Sequence, residues 1–87
     1  MNANNETDQD VDYEQKGGGG GFDESPPCQQ GQLSAQGTPG SGKSFSPCDP
    51  SPWTVTFRRG SQSASSEPIT DADATVTLEA NWTVTVT

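Results

Sequence analysis

The chain has 87 residues, of which 26% are hydrophobic, and a net charge of −8, so it forms at most one domain with a small core. It contains no histidine and no complete set of catalytic side chains, which argues against an enzyme and gives no reason to expect a cofactor or a metal. Nucleic acids and anionic membranes are bound mainly through Lys and Arg, so the acid excess argues against both and favours proteins as partners.

Residues 1–21 are predicted to form an acidic flexible arm that is disordered or ordered by a partner. The arm ends in five consecutive glycines at 17–21, which form a flexible hinge. Asp8, Asp10 and Asp12 are spaced like the first ligands of a calcium loop. Tyr13 stands where that loop needs glycine, so we interpret the acids as a solvated surface.

Residues 22–52 are predicted to form a long irregular loop, because Pro, Gly and Ser interrupt every helix or strand pattern. Cys28 and Cys48 are the only cysteines. Two thiols without histidine leave a zinc site incomplete, and their spacing is not that of a thioredoxin-like pair. We therefore predict a disulfide between Cys28 and Cys48, worth about 3 kcal/mol for a loop of this length. Two reduced thiols in a cytoplasmic protein are the alternative.

Within this loop, Gly37–Ser44 (GTPGSGKS) matches the phosphate-binding pattern G-x-x-x-x-G-K-[ST]. The motif functions only where a buried strand enters it and a helix leaves it. Gln29–Gln36 does not resemble a buried strand, and Pro47 and Pro50 would stop a helix. Nucleotide binding is therefore kept only as a remote alternative.

The segment 53–87 carries the strand signals and is predicted to be β-rich. Apolar residues alternate with polar ones in 53–57, 74–78 and 82–86, which predicts about three antiparallel strands and a small all-β fold. A three-residue loop at 79–81 would place Leu78 opposite Trp82 and keep the apolar side chains on one face. Asn81 would take the left-handed conformation that such loops need at their third position.

This β-rich segment has an apolar face and no helix to cover it. Three strands are near the minimum for independent stability. The face could pack on the chain's own proline-rich loop or on another subunit, and we favour the second interpretation. The residues predicted to form the interface are Trp53, Val55, Phe57, Val76, Leu78, Trp82 and Val84.

Two triplets, Asn5-Glu6-Thr7 and Asn81-Trp82-Thr83, match the N-glycosylation acceptor pattern. One or two matches are expected by chance in a chain rich in Thr and Ser. The sequence alone therefore does not assign a glycan to either asparagine.

The sequence favours a non-catalytic structural protein that binds other subunits, homo- or hetero-oligomeric, through its β face and edges. A virion decoration, cement or minor structural protein fits these features, with a virion or another extracellular particle as its location. The alternative is a free acidic adaptor or regulatory protein, located in the cytoplasm, that folds on binding a basic protein. No secretory signal or membrane-spanning run is visible, so an extracellular chain is expected to be carried out with a particle.

Overall fold

The computed structural model describes residues 1–18 and 27–87. These residues contain only β-strands and loops, and they form two four-stranded sheets. The strands are β1 (Asn2–Asn5), β2 (Val11–Lys16), β3 (Gln29–Leu33), β4 (Gly42–Ser44), β5 (Thr54–Arg59), β6 (Gln62–Ser65), β7 (Thr75–Leu78) and β8 (Val84–Val86). The first sheet has the order β4-β1-β7-β8 and the second the order β3-β2-β5-β6. The all-β class is confirmed, whereas the prediction of about three strands at the C-terminal end was wrong.

The first strands, β1 and β2, lie where a flexible arm was expected. β1 pairs in parallel with β7 and antiparallel with β4, and β2 pairs antiparallel with β3 and β5. Their burial alternates with a period of two, and Ala3, Val11 and Tyr13 are buried. The period is hard to see in the sequence because Asn5 and Gln15 occupy equivalent buried positions. Most of the glycine hinge, from residue 19 onward, lies outside the described residues.

The segment expected to be an irregular loop contributes β3 and β4. Neither strand has the Val, Ile or aromatic content that predicts a strand from sequence. Both are edge strands, and each takes its register from one neighbour. Gly31 lies opposite Tyr13, and a Cβ at Gly31 would come within 2.8 Å of the Tyr13 ring. A glycine is therefore needed here to make room for an aromatic side chain in the core.

β5 continues into a hairpin with β6, in a serine-rich stretch that was expected to be loop. Arg59 pairs with Gln62 across a two-residue connection. Gly60 has a φ of 59°, and tight hairpin turns need such a positive φ. The extended segment predicted at 53–57 is confirmed for residues 54–57, which are part of β5. This strand belongs to a different sheet from β7 and β8.

The β7–β8 hairpin forms with a register that differs from the predicted one. Leu78 pairs with Val84 and Val76 with Val86, whereas Leu78 had been expected opposite Trp82. The loop comprises residues 80–82, and a backbone hydrogen bond from Glu79 N to the Thr83 carbonyl oxygen closes it. Within the loop, Trp82 has a positive φ of 64°. The three-residue loop therefore begins one residue later than predicted. Each residue of β7 consequently pairs with a residue two positions further along the chain than predicted, and an even shift keeps the valines on one face of the sheet.

One hydrophobic core joins the two sheets. Residues from both sheets form a single cluster in which Leu33, Val55, Phe57, Val76 and Leu78 have no exposed surface. Phe45, Trp53, Ala64, Trp82 and Val84 pack on its rim. The chain thus covers its own apolar face with the other sheet, and the N-terminal strands supply part of that cover.

We expect Val11→Ala to lower the free energy of unfolding by about 2 kcal/mol, because it removes two buried methyl groups from the core. Val11 is 1% exposed, whereas Val86 is 40% exposed, so Val86→Ala is the matched control and should change stability by much less. Urea denaturation of both variants measures the difference. Equal midpoints would show that Val11 lies in a flexible arm and would contradict the fold.

Candidate functional site

The predicted interface residues fall into two groups in the structure. Val55, Phe57, Val76 and Leu78 are completely buried in the chain's own core. They face the opposite sheet and are inaccessible to another subunit. Trp53, Trp82 and Val84 are partly buried at the rim of the core. The structure therefore does not bring the seven residues together as one open face.

The two tryptophans close the core at different places. Trp53 exchanges backbone hydrogen bonds with Ile69, of 2.8 and 2.7 Å, and its indole Nε1 donates to the Asp49 carbonyl oxygen at 2.8 Å. Trp82 lies at the tip of the β7–β8 hairpin and packs against the core from there. Both rings therefore have contacts within the chain and do not form an uncovered patch.

The open element is the edge of the first sheet at β8, which among the strands of residues 1–18 and 27–87 pairs with β7 alone. Thr75 and Thr87 exchange both backbone hydrogen bonds, each 2.9 Å long. Hydrogen-bonded and non-hydrogen-bonded pairs alternate along an antiparallel ladder. Because the register pairs Val76 with Val86 and Leu78 with Val84, these are the non-hydrogen-bonded pairs. The N–H and C=O groups of Val84 and Val86 therefore point away from β7, toward the open edge.

The sequence of this edge lacks the usual protection against strand addition. Natural edge strands carry charges, prolines or bulges that discourage pairing with another chain. Residues 83–87 read Thr-Val-Thr-Val-Thr and contain neither charge nor proline. Val86, at 40% exposure, is the only exposed large hydrophobic residue among those described.

The other sheet edges are more polar. β4 contains Lys43, whose Nζ lies 5.8 Å from the centre of the Tyr13 ring. β6 consists of Gln62, two serines and Ala64, and three of its four residues are exposed. At β3, the Gln29 side chain donates to the Ser46 carbonyl oxygen and so ties the edge to the neighbouring loop. Among the described strands, β8 is the edge that combines an apolar surface with free backbone groups.

The predicted disulfide is present between Cys28 and Cys48, with a Cα–Cα distance of 6.0 Å. Gln15, on β2, is hydrogen-bonded to both cysteines. Its backbone oxygen accepts from Cys28 N at 2.7 Å, and its side-chain Nε2 donates to the Cys48 carbonyl oxygen at 3.0 Å. Its Oε1 accepts from Cys48 N at 3.1 Å. The Gln15 side chain thus pairs with Cys48 as a neighbouring strand would.

Sequence reasoning missed Gln15 because a glutamine in an acidic segment looks solvent-exposed. The signal that could have found it is the alternation Val11, Tyr13, Gln15, which places all three on one face of a strand. The side chain of Gln15 is completely buried. A buried amide keeps its position only when its donors and acceptor are satisfied, and the cysteine loop provides those partners.

The phosphate-binding pattern does not adopt the geometry that its function needs. Gly42, Lys43 and Ser44 form β4 itself, paired with β1, whereas the motif requires the start of a helix at that point.

Two of the acids that are spaced like calcium ligands have different surroundings in the structure. Asp10 accepts a hydrogen bond from Ala35 N at 3.0 Å, while Asp12 lies on the exposed face of β2.

Arg58 and Arg59 bind groups of their own chain. Arg58 forms an ion pair of 2.8 Å with Glu14, and Arg59 Nη1 donates to the Asp10 carbonyl oxygen at 2.8 Å. The Arg58 side chain is 54% exposed, so this pair contributes little to stability. Both contacts connect the end of β5 to the N-terminal segment.

Comparison with known proteins gave no match to a protein-family model, to a curated protein or to a solved structure. In the part of the chain that the structure describes, no helix is long and apolar enough to cross a membrane.

We expect Gln15→Met to lower the free energy of unfolding by roughly 1–3 kcal/mol, because it leaves the partly buried N–H and C=O of Cys48 without their side-chain partners. Gln32→Met is the matched control, since Gln32 is exposed on the adjacent strand β3. Urea denaturation under non-reducing conditions measures both. An equal loss of stability in the two variants would show that the hydrogen bonds of Gln15 to Cys48 do not stabilise the fold.

Proposed function

We propose that the chain is a non-catalytic structural subunit that joins a larger protein assembly by strand addition at β8. The observation that carries this proposal is the open edge, where Val84 and Val86 direct backbone groups away from β7. Strand addition uses such groups for affinity, and the side chains along the edge set the register. Because the core is covered, we infer that the binding element is the edge rather than a broad apolar face.

A second copy of the chain is the occupant that the sequence of the edge favours. Residues 83–87 read the same in both directions. An antiparallel pair related by a two-fold axis at Thr85 would place Val84 of one copy opposite Val86 of the other. Since these two residues direct their backbone groups outward, each free N–H and C=O would meet a partner. Valines would stay on one face and threonines on the other.

The charges of the chain give this pairing a specific dependence on salt. Each copy carries a net charge of −8, yet residues 80–87 contain no charged side chain. Approach of two copies is opposed by long-range repulsion. The strands in contact carry no charged side chain themselves, although the Glu79 carboxylate accepts a hydrogen bond from Thr85 Oγ1 at 2.9 Å and so brings a negative charge close to the two-fold axis. Salt screens the repulsion over about 10 Å at 0.1 M. Self-association through β8 should therefore become stronger as the salt concentration rises.

The setting we propose is a virion or another extracellular particle, with the chain as a decoration, cement or minor structural protein. The small size and the open edge support a role in assembly. The disulfide supports an oxidising environment, because such bonds are rare in reducing cytosol.

The alternative functions have less support from the geometry. A free acidic adaptor was expected to use a disordered acidic arm, whereas β1 and β2 hold that segment in the two sheets. Nucleotide binding has a sequence pattern but no strand–loop–helix geometry around Lys43. We therefore retain assembly through β8 as the proposed function.

We expect Val86→Pro to weaken self-association by at least roughly tenfold, which corresponds to about 1.4 kcal/mol. Proline removes the outward N–H of Val86 and leaves the bonds of β8 to β7 intact. Val86→Ala is the control, because it removes the same side chain and keeps the N–H. Sedimentation equilibrium of the three proteins at two salt concentrations measures the effect, with circular dichroism as the check on folding.

Two results would contradict the proposal. One is a wild-type chain that stays monomeric at millimolar concentration in high salt. The other is a dimer that Val86→Pro and Val86→Ala weaken equally, since the edge N–H would then have no part in the contact.

A further inference from the structure

The two glycosylation acceptor triplets share one local geometry. In the first, Asn5 Oδ1 accepts hydrogen bonds from Thr7 N at 2.9 Å and from Thr7 Oγ1 at 2.7 Å. In the second, Asn81 Oδ1 accepts from Thr83 N at 3.3 Å and from Thr83 Oγ1 at 2.7 Å. Each threonine therefore holds the amide oxygen of its asparagine, and the two sites differ in their burial and in the contacts of the amide nitrogen.

The amide nitrogen of Asn5 is occupied by structural contacts. Its Nδ2 donates to the carbonyl oxygens of Gln9 at 2.7 Å and Ser34 at 3.0 Å. Asn5 is 2% exposed. These bonds fix the segment in which the chain passes from β1 to β2, so a sugar on Asn5 would require that segment to unfold.

The amide nitrogen of Asn81 is free by comparison. Asn81 and Thr83 are both exposed, and Nδ2 of Asn81 has no hydrogen-bond partner within the described residues. The triplet lies in the loop between β7 and β8, where the chain reverses direction. A bulky substituent at this position would extend into solvent without displacing a core residue.

The disulfide provides an independent reason to consider N-glycosylation. Disulfides form in the ER lumen and persist in secreted proteins, and N-linked glycans are added to surface Asn-x-Thr triplets of secreted proteins. We propose that Asn81 is an N-glycosylation site and that Asn5, in the same sequence pattern, is a structural residue that carries no glycan in the folded chain. This inference does not depend on the proposed pairing of β8, and it requires that the chain enter the secretory route in place of the export with a particle expected from the sequence.

The transfer is a substitution at the anomeric carbon of a lipid-pyrophosphate-linked oligosaccharide. A bond forms between Nδ2 of Asn81 and that carbon, and the bond from the carbon to the pyrophosphate oxygen breaks. Nδ2 loses one proton, and the lipid pyrophosphate leaves with the bonding electrons. The chain supplies the acceptor amide and the Thr83 hydroxyl, while the enzyme and the lipid-linked donor come from the cell that makes the protein.

The test uses the folded, disulfide-bonded chain with a purified oligosaccharyltransferase and a lipid-linked oligosaccharide. Peptide mapping by mass spectrometry should find the sugar on the peptide that contains Asn81 and leave Asn5 unmodified. Asn81→Gln and Thr83→Ala should each abolish the modification. Thr83→Ser should retain it, because serine keeps the hydroxyl, and circular dichroism should show that all variants are folded.

The same reaction is repeated on the chain after its disulfide has been reduced and the chain unfolded. Unfolding frees the Asn5 amide, so a sugar should then be added at Asn5 as well as at Asn81. A folded chain that accepts no sugar at Asn81, or that accepts it equally at Asn5, would overturn the assignment.

Discussion

The pairing of β1 and β2 with strands from distant parts of the chain is the interaction on which the rest of the structure depends. β1 lies between β4 and β7, and β2 lies between β3 and β5. Without them, β3 and β4 would have no neighbour, and the remaining strands would form two isolated hairpins. Isolated hairpins are at best marginally stable in water. The N-terminal segment is therefore what turns two hairpins into two sheets around one core.

Buried polar side chains let a chain with few hydrophobic residues close this core. Asn5 fixes the passage from the first sheet to the second, and Gln15 fixes the cysteine loop against β2. Among the described residues, no buried side-chain nitrogen or oxygen lacks a hydrogen-bond partner. Satisfied polar networks specify one arrangement of the chain, because an alternative packing would leave these groups unpaired. The disulfide adds a covalent constraint at the same place.

The sequence predicted what depends on local alternation and failed where pairing is long-range. The all-β class, the extended segments around Val55 and Val76, and the bond between Cys28 and Cys48 followed from residue pattern and spacing. β1, β2 and β3 did not, since inward positions held by Asn5, Gln15 and Gly31 hide the period of two. The hairpin register was displaced because Trp82, rather than Asn81, adopts the left-handed conformation. The open edge could not be identified until the order of strands was known.

The same dependence explains why the proposed interaction site is an edge. With β1 and β2 in place, the apolar faces of the two sheets are covered, and β8 is the described edge strand that has an exposed large hydrophobic residue. Native-state hydrogen exchange of the β1 and β2 amides tests this account most directly. The account predicts that central amides such as those of Ala3 and Tyr13 exchange only through global unfolding, while the Val84 and Val86 amides of the monomer exchange rapidly. Exchange of the β1 and β2 amides at the rate of an unstructured chain would contradict it.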